Sequence, residues 1–455
     1  MKMRKIFNRL LIAMAAITIN TAAFAQETAV QPPAAPQAQE VSTPKFDTEK
    51  FNKKMADLKV KMRQLQKQMT SKSFNANRDV ALAFKDFDKN FGDSFKGFDK
   101  NFNESFKDFG KNFAGSFSEM APAFAESFKN INGANFNNNN LNSDEYKQKL
   151  ASGQMTERVK NYSKSYSVDA NDVLQISNSF GKIVVNTWAK NEFKVDVQMK
   201  FSADDEDYVN NMINGSSISD SKVGSLISFR TNMANINGNH GNNHIEINYT
   251  VYMPAGNSID VNNRFGNITL PDLSGNASIK VSYGSLFAQQ LLGKENNVEL
   301  RFASDNSSTI TVFNGGRLKL SYSKLKVGVL NNVNSDISFS SISIDKLKNS
   351  ADFRIKYGDG FTINNIDRSV RNLNINASFT NIKLDFKNAE SFNFDVTTKM
   401  GGFDYNDDRI KVTAKTPSDE DKGWSSTKTY KGYIGKNNSD NKVTITGSFT
   451  EVKFY

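Results

Sequence analysis

The C-terminal two thirds of the chain repeats with a period close to 20 residues. From about Tyr162 onward, apolar and polar residues alternate, and Gly, Asn, Asp and Ser interrupt the alternation at short intervals. The second apolar residue of successive segments falls at Val261, Val281, Leu300, Leu320, Phe339, Ile355, Ile375 and Phe394, at separations of 16 to 20 residues. Alternation with period 2 is typical of β-strands, and repetition at fixed spacing indicates a stacked architecture. Residues 162–455 are therefore predicted to form an all-β repeat domain.

Two short strands per repeat fit a β-solenoid, or parallel β-helix-like fold, in which each turn stacks on the previous one at about 4.8 Å. An aromatic residue followed by a small one recurs near the end of several repeats, at Tyr283-Gly284, Phe302-Ala303, Tyr322-Ser323 and Tyr357-Gly358. A β-sandwich is the alternative, because strands spaced about 10 residues apart occur in both folds. One short helix is predicted inside the β region, at Asp204–Ile213, where acidic residues open an apolar-periodic segment.

Residues 1–25 have the pattern of a secretory signal peptide. A charged start and a short apolar stretch precede Ala23-Phe24-Ala25, which predicts cleavage between Ala25 and Gln26. The apolar stretch is too short and too interrupted to favour a membrane anchor. We therefore expect an extracytoplasmic protein, in the periplasm, at the cell surface or secreted. Residues 26–45, rich in Pro, Ala and Gln, are predicted to be a linker.

Residues 46–129 are predicted to form a long amphipathic, coiled-coil-like helix. Apolar residues from Phe51 to Met69 recur at steps of 4 and 3, and phenylalanines then recur at steps of 3, 4 and 4. Such a period of 11 residues keeps every ring on one stripe of a helix. This Phe stripe comprises Phe84, Phe87, Phe91, Phe95, Phe98, Phe102, Phe106, Phe109, Phe113 and Phe117. An Asn-rich hinge at residues 130–161 is predicted to separate the helix from the β region.

The Phe stripe requires an apolar partner, because a single helix cannot bury it. Self-association as a stalk is the interpretation that we favour. The alternatives are a membrane surface, an envelope protein or the β domain itself. Residues 84–127 contain six Lys and eight acidic residues, so this segment has no electrostatic attraction to anionic lipid.

A second motif recurs in the β region as Ser179-Phe180-Gly181-Lys182-Ile183, Arg264-Phe265-Gly266-Asn267-Ile268, Ser378-Phe379-Thr380-Asn381-Ile382 and Ser448-Phe449-Thr450-Glu451-Val452. With the strand that ends near Trp188 and the Gly432-Tyr433-Ile434-Gly435 turn, these motifs resemble the bacterial putative-adhesin family of secreted β-solenoid domains. The similarity covers about residues 162–455. The resemblance implies an extracytoplasmic, non-enzymatic repeat protein, and the Phe stripe lies outside it.

Residues that could carry chemistry are few. The absence of cysteine excludes disulfides, thiolate zinc sites and a cysteine nucleophile. His240 and His244 have a metal-pair spacing, but their Asn- and Gly-rich surroundings predict a loop without fixed geometry. The outward positions of consecutive repeats carry both positive and negative side chains, and this mixture does not indicate a catalytic site. These positions are Asp260, Glu299, Lys319, Arg354 and Asn374. The aromatic residues Trp188, Phe180, Phe265 and Phe379 are interpreted as core or cap residues rather than sugar-stacking platforms.

The sequence therefore predicts no catalytic residue, no metal, no cofactor and no nucleic-acid partner. The hypothesis is a non-enzymatic, adhesin-like protein that presents a rigid β-solenoid on an oligomerising helical segment. Its partners would be a second copy of itself, a glycan, an envelope protein or a membrane surface. The first alternative is a periplasmic envelope scaffold or stress-related protein whose Phe stripe binds a membrane or partner. A further alternative is a β-helix carbohydrate-active enzyme.

Overall fold

The computed structural model describes residues 144–455 except 235–242, 304–307, 359, 407, 419 and 422–424. The helices are α1 (Asp144–Ala151) and α2 (Glu206–Gly215). The first strands are β1 (Thr156–Ser167), β2 (Val173–Ser179), β3 (Ile183–Thr187), β4 (Glu192–Ala203), β5 (Ser217–Val223), β6 (Leu226–Asn232), β7 (Asn243–Met253), β8 (Ser258–Arg264), β9 (Ile268–Leu270), β10 (Ala277–Ser282), β11 (Leu286–Leu291) and β12 (Asn296–Arg301). No helix among the described residues is both long enough and apolar enough to cross a membrane.

The remaining strands continue the same pattern to the last residues. They are β13 (Ser308–Ser321), β14 (Lys324–Ser338), β15 (Ser341–Lys356), β16 (Gly360–Ile363), β17 (Asn372–Ser378), β18 (Ile382–Leu384), β19 (Phe392–Lys399), β20 (Gly402–Tyr405), β21 (Ile410–Thr416), β22 (Thr427–Ile434), β23 (Lys442–Ser448) and β24 (Glu451–Phe454). The predicted all-β character of this region is confirmed. The Phe stripe, the signal peptide with Ala25 and Gln26, the linker and His240 lie outside the described residues.

The strands form two ladders. The first ladder runs β5–β6–β2–β8–β10–β12–β13–β14–β15–β17–β23–β19–β22–β21, and its pairs are parallel from β6 to β19. The second ladder runs β1–β4–β7–β3–β9–β11–β13–β14–β15–β16–β18–β24–β20, and its pairs are parallel from β7 to β20. Among the strands described, antiparallel pairs occur only where these ladders begin and where the first one ends.

A strand of the first ladder is followed in the chain by a strand of the second, and we call such a pair a rung. In β13, β14 and β15 the strand continues from the second ladder into the first without a break. The first half of each of these strands therefore ends one rung, and its second half begins the next rung. The last strands of the chain do not lie at the end. Instead, β23 and β24 insert between β17/β18 and β19/β20.

Inward side chains form continuous apolar rows because the pairs are in register. Val281, Leu300 and Leu320 occupy one such row and are fully buried, and Ile337 and Ile355 extend it. Each fully buried Leu or Ile contributes about 2 kcal/mol. Four members of the predicted row lie elsewhere, because the turns between strands differ in length. Val261 and Ile375 belong to the neighbouring row. Phe394 lies in the row beyond that one, and Phe339 lies at a corner.

The beginning of the β region differs from the prediction in its bounds. β1 begins at Thr156, within the predicted hinge, and pairs along its whole length with β4. Its sequence contains few apolar residues and most of its side chains are exposed, so alternation could not reveal it. The predicted short helix is present as α2, and the carboxylate of Asp205 caps it by accepting a hydrogen bond from the Tyr208 backbone N–H at 3.1 Å.

Candidate binding surface

One corner of every rung from β2/β3 onward carries a residue in the left-handed conformation, and most of these residues are aromatic. The chain turns there from the first ladder to the second. The positive φ values lie between 52° and 66° for Phe180, Phe265, Tyr283, Phe302, Tyr322, Phe339, Tyr357, Phe379, Phe449 and Met400, which we call the corner row. A left-handed conformation is unfavourable for bulky L-residues. The surrounding contacts must therefore stabilise it at each rung.

Backbone hydrogen bonds provide part of that stabilisation. The N–H of each aromatic corner residue donates to the carbonyl of the residue that precedes the next corner, as in Phe302 to Ser321 at 2.9 Å and Tyr322 to Ser338 at 3.1 Å. Small residues follow the ring because the next turn passes close by. At Gly266 a Cβ atom would lie 1.8 Å from the Gly181 carbonyl oxygen. The recurring pattern of an aromatic residue followed by a small one is thus the sequence signature of this corner.

Ring stacking supplies the remainder. Successive aromatic members of the corner row lie 4.7–5.3 Å apart between centroids, with interplanar angles of at most 22°. Stacked aromatic pairs contribute about 0.5–1.5 kcal/mol each beyond their burial. The row crosses the point where β23 and β24 insert, because Phe379 stacks on Phe449 at 4.7 Å. The corner row is therefore continuous in space although its order in the chain is broken.

The stacking also decides how the corner row can contact a ligand. Each interior ring has neighbours on both faces, so only ring edges and tyrosine hydroxyl groups reach the surface. A sugar ring cannot stack on a covered face. Trp188 likewise stacks on Tyr252 at 5.3 Å, and the Lys190 ammonium lies 4.9 Å from its ring centroid. The geometry of these aromatics agrees with their interpretation as core or cap residues.

The outward side chains of the first ladder form a polar face beside the corner row. Lys280, Glu299, Lys319, Asp336 and Arg354 occupy one row of it, in register. Asp260 and Asn374, which the sequence suggested for the same place, lie in the neighbouring row with Arg317 and Asp352. Because the strands are in register, charges of opposite sign alternate along the ladder.

Ion pairs hold the carboxylates of this face in the ionised form. Partial burial by itself raises the pKa of Glu299, but hydrogen bonds from Arg301 and Lys319 outweigh it and place the pKa below its ordinary value. The Arg317 guanidinium, 2.5 Å from Asp336, lowers the pKa of that carboxyl, and Arg354 adds to the effect. Neither carboxyl is therefore suited to donate a proton at neutral pH.

The remaining candidates have local roles. His244 is buried near the Tyr146 ring, and its burial lowers its pKa, so the imidazole is neutral at physiological pH. Asp205 caps a helix, and Asp404 pairs with Lys453 at 3.1 Å. Within the described ranges, no group of three or more His, Cys, Asp or Glu side chains could hold a metal ion.

A polar cavity that the sequence analysis did not identify lies where three loops meet. These loops precede β17, β19 and β23, and their meeting point is created by the insertion of β23. The cavity has a volume of about 630 Å³ and is lined by Arg371, Glu390, Ser391, Lys436, Asn437, Asn438, Ser439, Asp440 and Asn441. Arg371 donates to the Asn441 side-chain oxygen at 3.0 Å. No spacing in the sequence indicates that these loops are neighbours.

No protein-family model and no curated protein sequence matches this chain. Among solved structures, the chain is similar to a putative adhesin from Bacteroides fragilis, with 10% identity over 65% of this chain and 97% of that one, at a TM-score of 0.26. A putative cell adhesion protein from Clostridium sporogenes has 11% identity over 66% and 100%, at a TM-score of 0.16.

A putative adhesin from Parabacteroides merdae has 10% identity over 65% of this chain and 96% of its own length, at a TM-score of 0.25. These descriptions agree with the putative-adhesin resemblance that the sequence motifs carry. With TM-scores this low, the architecture of the chain is argued from its own strand pairing.

Proposed function

We propose that residues 144–455 form a β-solenoid that acts as an adhesin-like, non-enzymatic binding protein outside the cytoplasm. The observation that carries this proposal is the register of the two ladders, which repeats the same outward positions rung after rung. Parallel pairing through the body of both ladders supports a solenoid over a β-sandwich, whose sheets are antiparallel. The descriptions of the adhesin structures point in the same direction.

A rigid repeating face suits a partner that also repeats. Neighbouring rungs present equivalent positions about 4.8 Å apart, so many weak contacts can form at once with little ordering cost. Binding of this kind gains strength from the number of contacts rather than from one deep pocket. The alternating charges of the polar face give such contacts a fixed register.

The ion pairs of the polar face argue against a glycosidase. Such an enzyme needs one carboxyl with a raised pKa to act as the acid. Six carboxyl groups in the described part of the chain have a pKa below its ordinary value, namely Asp172, Asp196, Asp220, Glu299, Asp336 and Asp367. Hydrogen bonds and ion pairs within the protein stabilise their ionised form, so none of the six is suited to act as that acid.

The cellular location of the β region distinguishes the adhesin proposal from the periplasmic-scaffold alternative. We expect that protease added to intact cells will digest residues 144–455, as followed with an antibody against that region. Lysed cells provide the control for digestion, and a periplasmic protein probed in the same samples reports on envelope integrity. Protection until lysis would contradict the adhesin proposal and leave the envelope scaffold.

We further propose that the Phe stripe makes the protein oligomeric and thereby multiplies the binding surfaces. Replacing Phe95, Phe98 and Phe102 by Ser removes three apolar side chains from the middle of the stripe. The molar mass from light scattering should then fall to that of a smaller oligomer or a monomer. As a matched control, Lys96, Lys100 and Asn103 alternate with these rings along the sequence, and their replacement by Ser should leave the mass unchanged. A wild-type mass equal to one chain would contradict the proposal.

A further inference from the structure

The corner row alternates between two kinds of ring along its middle part. Phe265, Tyr283, Phe302, Tyr322, Phe339, Tyr357 and Phe379 follow one another in space, so every second rung carries a phenolic hydroxyl group. Phe and Tyr stack equally well, so stacking alone does not require this order. The alternation therefore points to a role for the hydroxyl groups.

The three tyrosine hydroxyl groups form no hydrogen bond with a side chain among the described residues. Tyr283, Tyr322 and Tyr357 are each partly exposed, and burial raises the pKa of each without any hydrogen-bonding contribution from another side chain. By contrast, Tyr146 donates to Glu157 at 2.7 Å, and Tyr162 donates to Asp220 at 2.5 Å. The three corner hydroxyl groups thus remain protonated and able to donate and accept hydrogen bonds to an external group.

The spacing of these groups defines the repeat of a partner. The ring centroids of Tyr283 and Phe302 are 4.8 Å apart and those of Phe302 and Tyr322 are 5.1 Å apart, with planes within 7° of parallel. The next two steps, to Phe339 and Tyr357, are 4.8 and 4.9 Å. Consecutive tyrosine rings are therefore separated by about two strand spacings, or about 10 Å, along the stack.

Extended β-1,4-linked polysaccharides have a matching geometry. Each sugar in such a chain advances by a length close to one strand spacing and is turned by half a revolution relative to the last. The same sugar hydroxyl groups therefore return to the same side at every second residue, which is the spacing of the tyrosines. An extended peptide returns to the same side after two residues, about 6.8 Å, and does not match.

The borders of the row suit a polar sugar chain. On the first-ladder side, the residues immediately before the rings are Ser282, Arg301 and Ser321, and their side chains point outward in register. On the other side, Lys324 and Ser341 begin the strands that follow Tyr322 and Phe339. Apolar ring edges flanked by donors on both sides can contact the C–H and hydroxyl groups of one sugar chain together.

We propose that the middle of the corner row binds an extended β-1,4-linked glycan, with the hydroxyl groups of Tyr283, Tyr322 and Tyr357 contacting every second sugar. This inference deepens the proposed binding function and rests on it for its biological setting. The chemistry is shared by cellulose, chitin and the glycan strands of peptidoglycan. Starch, whose α-1,4 linkage curls the chain, lacks this repeat.

The test is co-sedimentation of the full chain with insoluble cellulose, chitin, purified peptidoglycan sacculi and, as the negative probe, starch granules. We expect binding to at least one β-1,4 glycan and none to starch. Replacing the three tyrosines together, as Y283F, Y322F and Y357F, keeps every ring and should weaken binding at least tenfold, because three hydrogen bonds to the glycan are lost.

A matched control removes three hydroxyl groups elsewhere, as Y405F, Y430F and Y433F, and should bind like the wild type. Circular dichroism and the melting temperature show whether both variants retain the fold. Absence of binding to all three β-1,4 glycans, or equal binding by the corner variant, would overturn the glycan inference. Protease shaving reports on the adhesin proposal separately, so surface exposure without glycan binding would refute only the glycan site.

Discussion

Replacing Gly266 by Ala should lower the unfolding free energy by about 3 kcal/mol, since a methyl group is forced against a backbone that cannot move alone. The added Cβ would lie 1.8 Å from the Gly181 carbonyl oxygen and 2.6 Å from its carbon. Gly284 stands in the same relation to Gly266, at 1.9 Å. A methyl group that pushes the turns at Gly181 and Gly266 apart therefore also disturbs the contact between the turns at Gly266 and Gly284.

Calorimetry of the full chain measures this effect as a fall in the melting temperature of the β region. At about 2–4 °C per kcal/mol for a large domain, we expect a shift of about 6–12 °C. Gly256→Ala is the matched control, because its Cβ would meet only the Ser274 hydroxyl oxygen, at 3.9 Å. A Gly266→Ala protein that melts with the Gly256→Ala control would mean that the turns separate more easily than the structure indicates.

This glycine illustrates what the repeat could and could not reveal. The aromatic-small pair was visible in the sequence, and Gly266, Ala303 and Ser323 were interchangeable as small residues. In three dimensions they are not equivalent. At Gly266 the neighbouring backbone occupies the Cβ position, whereas the Ser323 side chain fits and its hydroxyl group donates to the Ser321 carbonyl at 2.8 Å. Sequence spacing marks a corner but does not report how closely the next turn approaches it.

The location of the surface could be predicted in part. Alternation revealed the strands and their outward positions, so the charges of Glu299 and Lys319 were correctly expected on one face. The continuity of the corner row was not visible, because Phe339 looked like another core residue and because Phe449 enters the row out of chain order. Pairing between strands that are distant in the sequence determines the positions of both residues. The period of the sequence does not reveal that β23 and β24 insert between earlier strands.

Replacing Phe302 by Ala should remove the stacking on both sides of the middle of the corner row. The ring lies 4.8 Å from Tyr283 and 5.1 Å from Tyr322, and its φ of 54° leaves Ala in the same unfavourable conformation. Two lost ring contacts and the lost burial of a half-exposed ring together amount to about 3 kcal/mol. Because each rung contacts only its neighbours, the two halves should also unfold with less cooperativity.

Two further substitutions of Phe302 distinguish the loss of ring stacking from backbone strain as causes of the lower stability. Phe302→Tyr keeps the ring and should melt like the wild type, since tyrosine already occupies the adjacent rungs. Phe302→Gly loses the ring but adopts a positive φ readily, so a variant more stable than Phe302→Ala would show that backbone strain accounts for part of the loss. Equal melting of the Ala and wild-type proteins would contradict a stabilising role for the row. The corner rings would then be retained for what their edges contact, and the hydroxyl groups of the neighbouring tyrosines would be the first place to look.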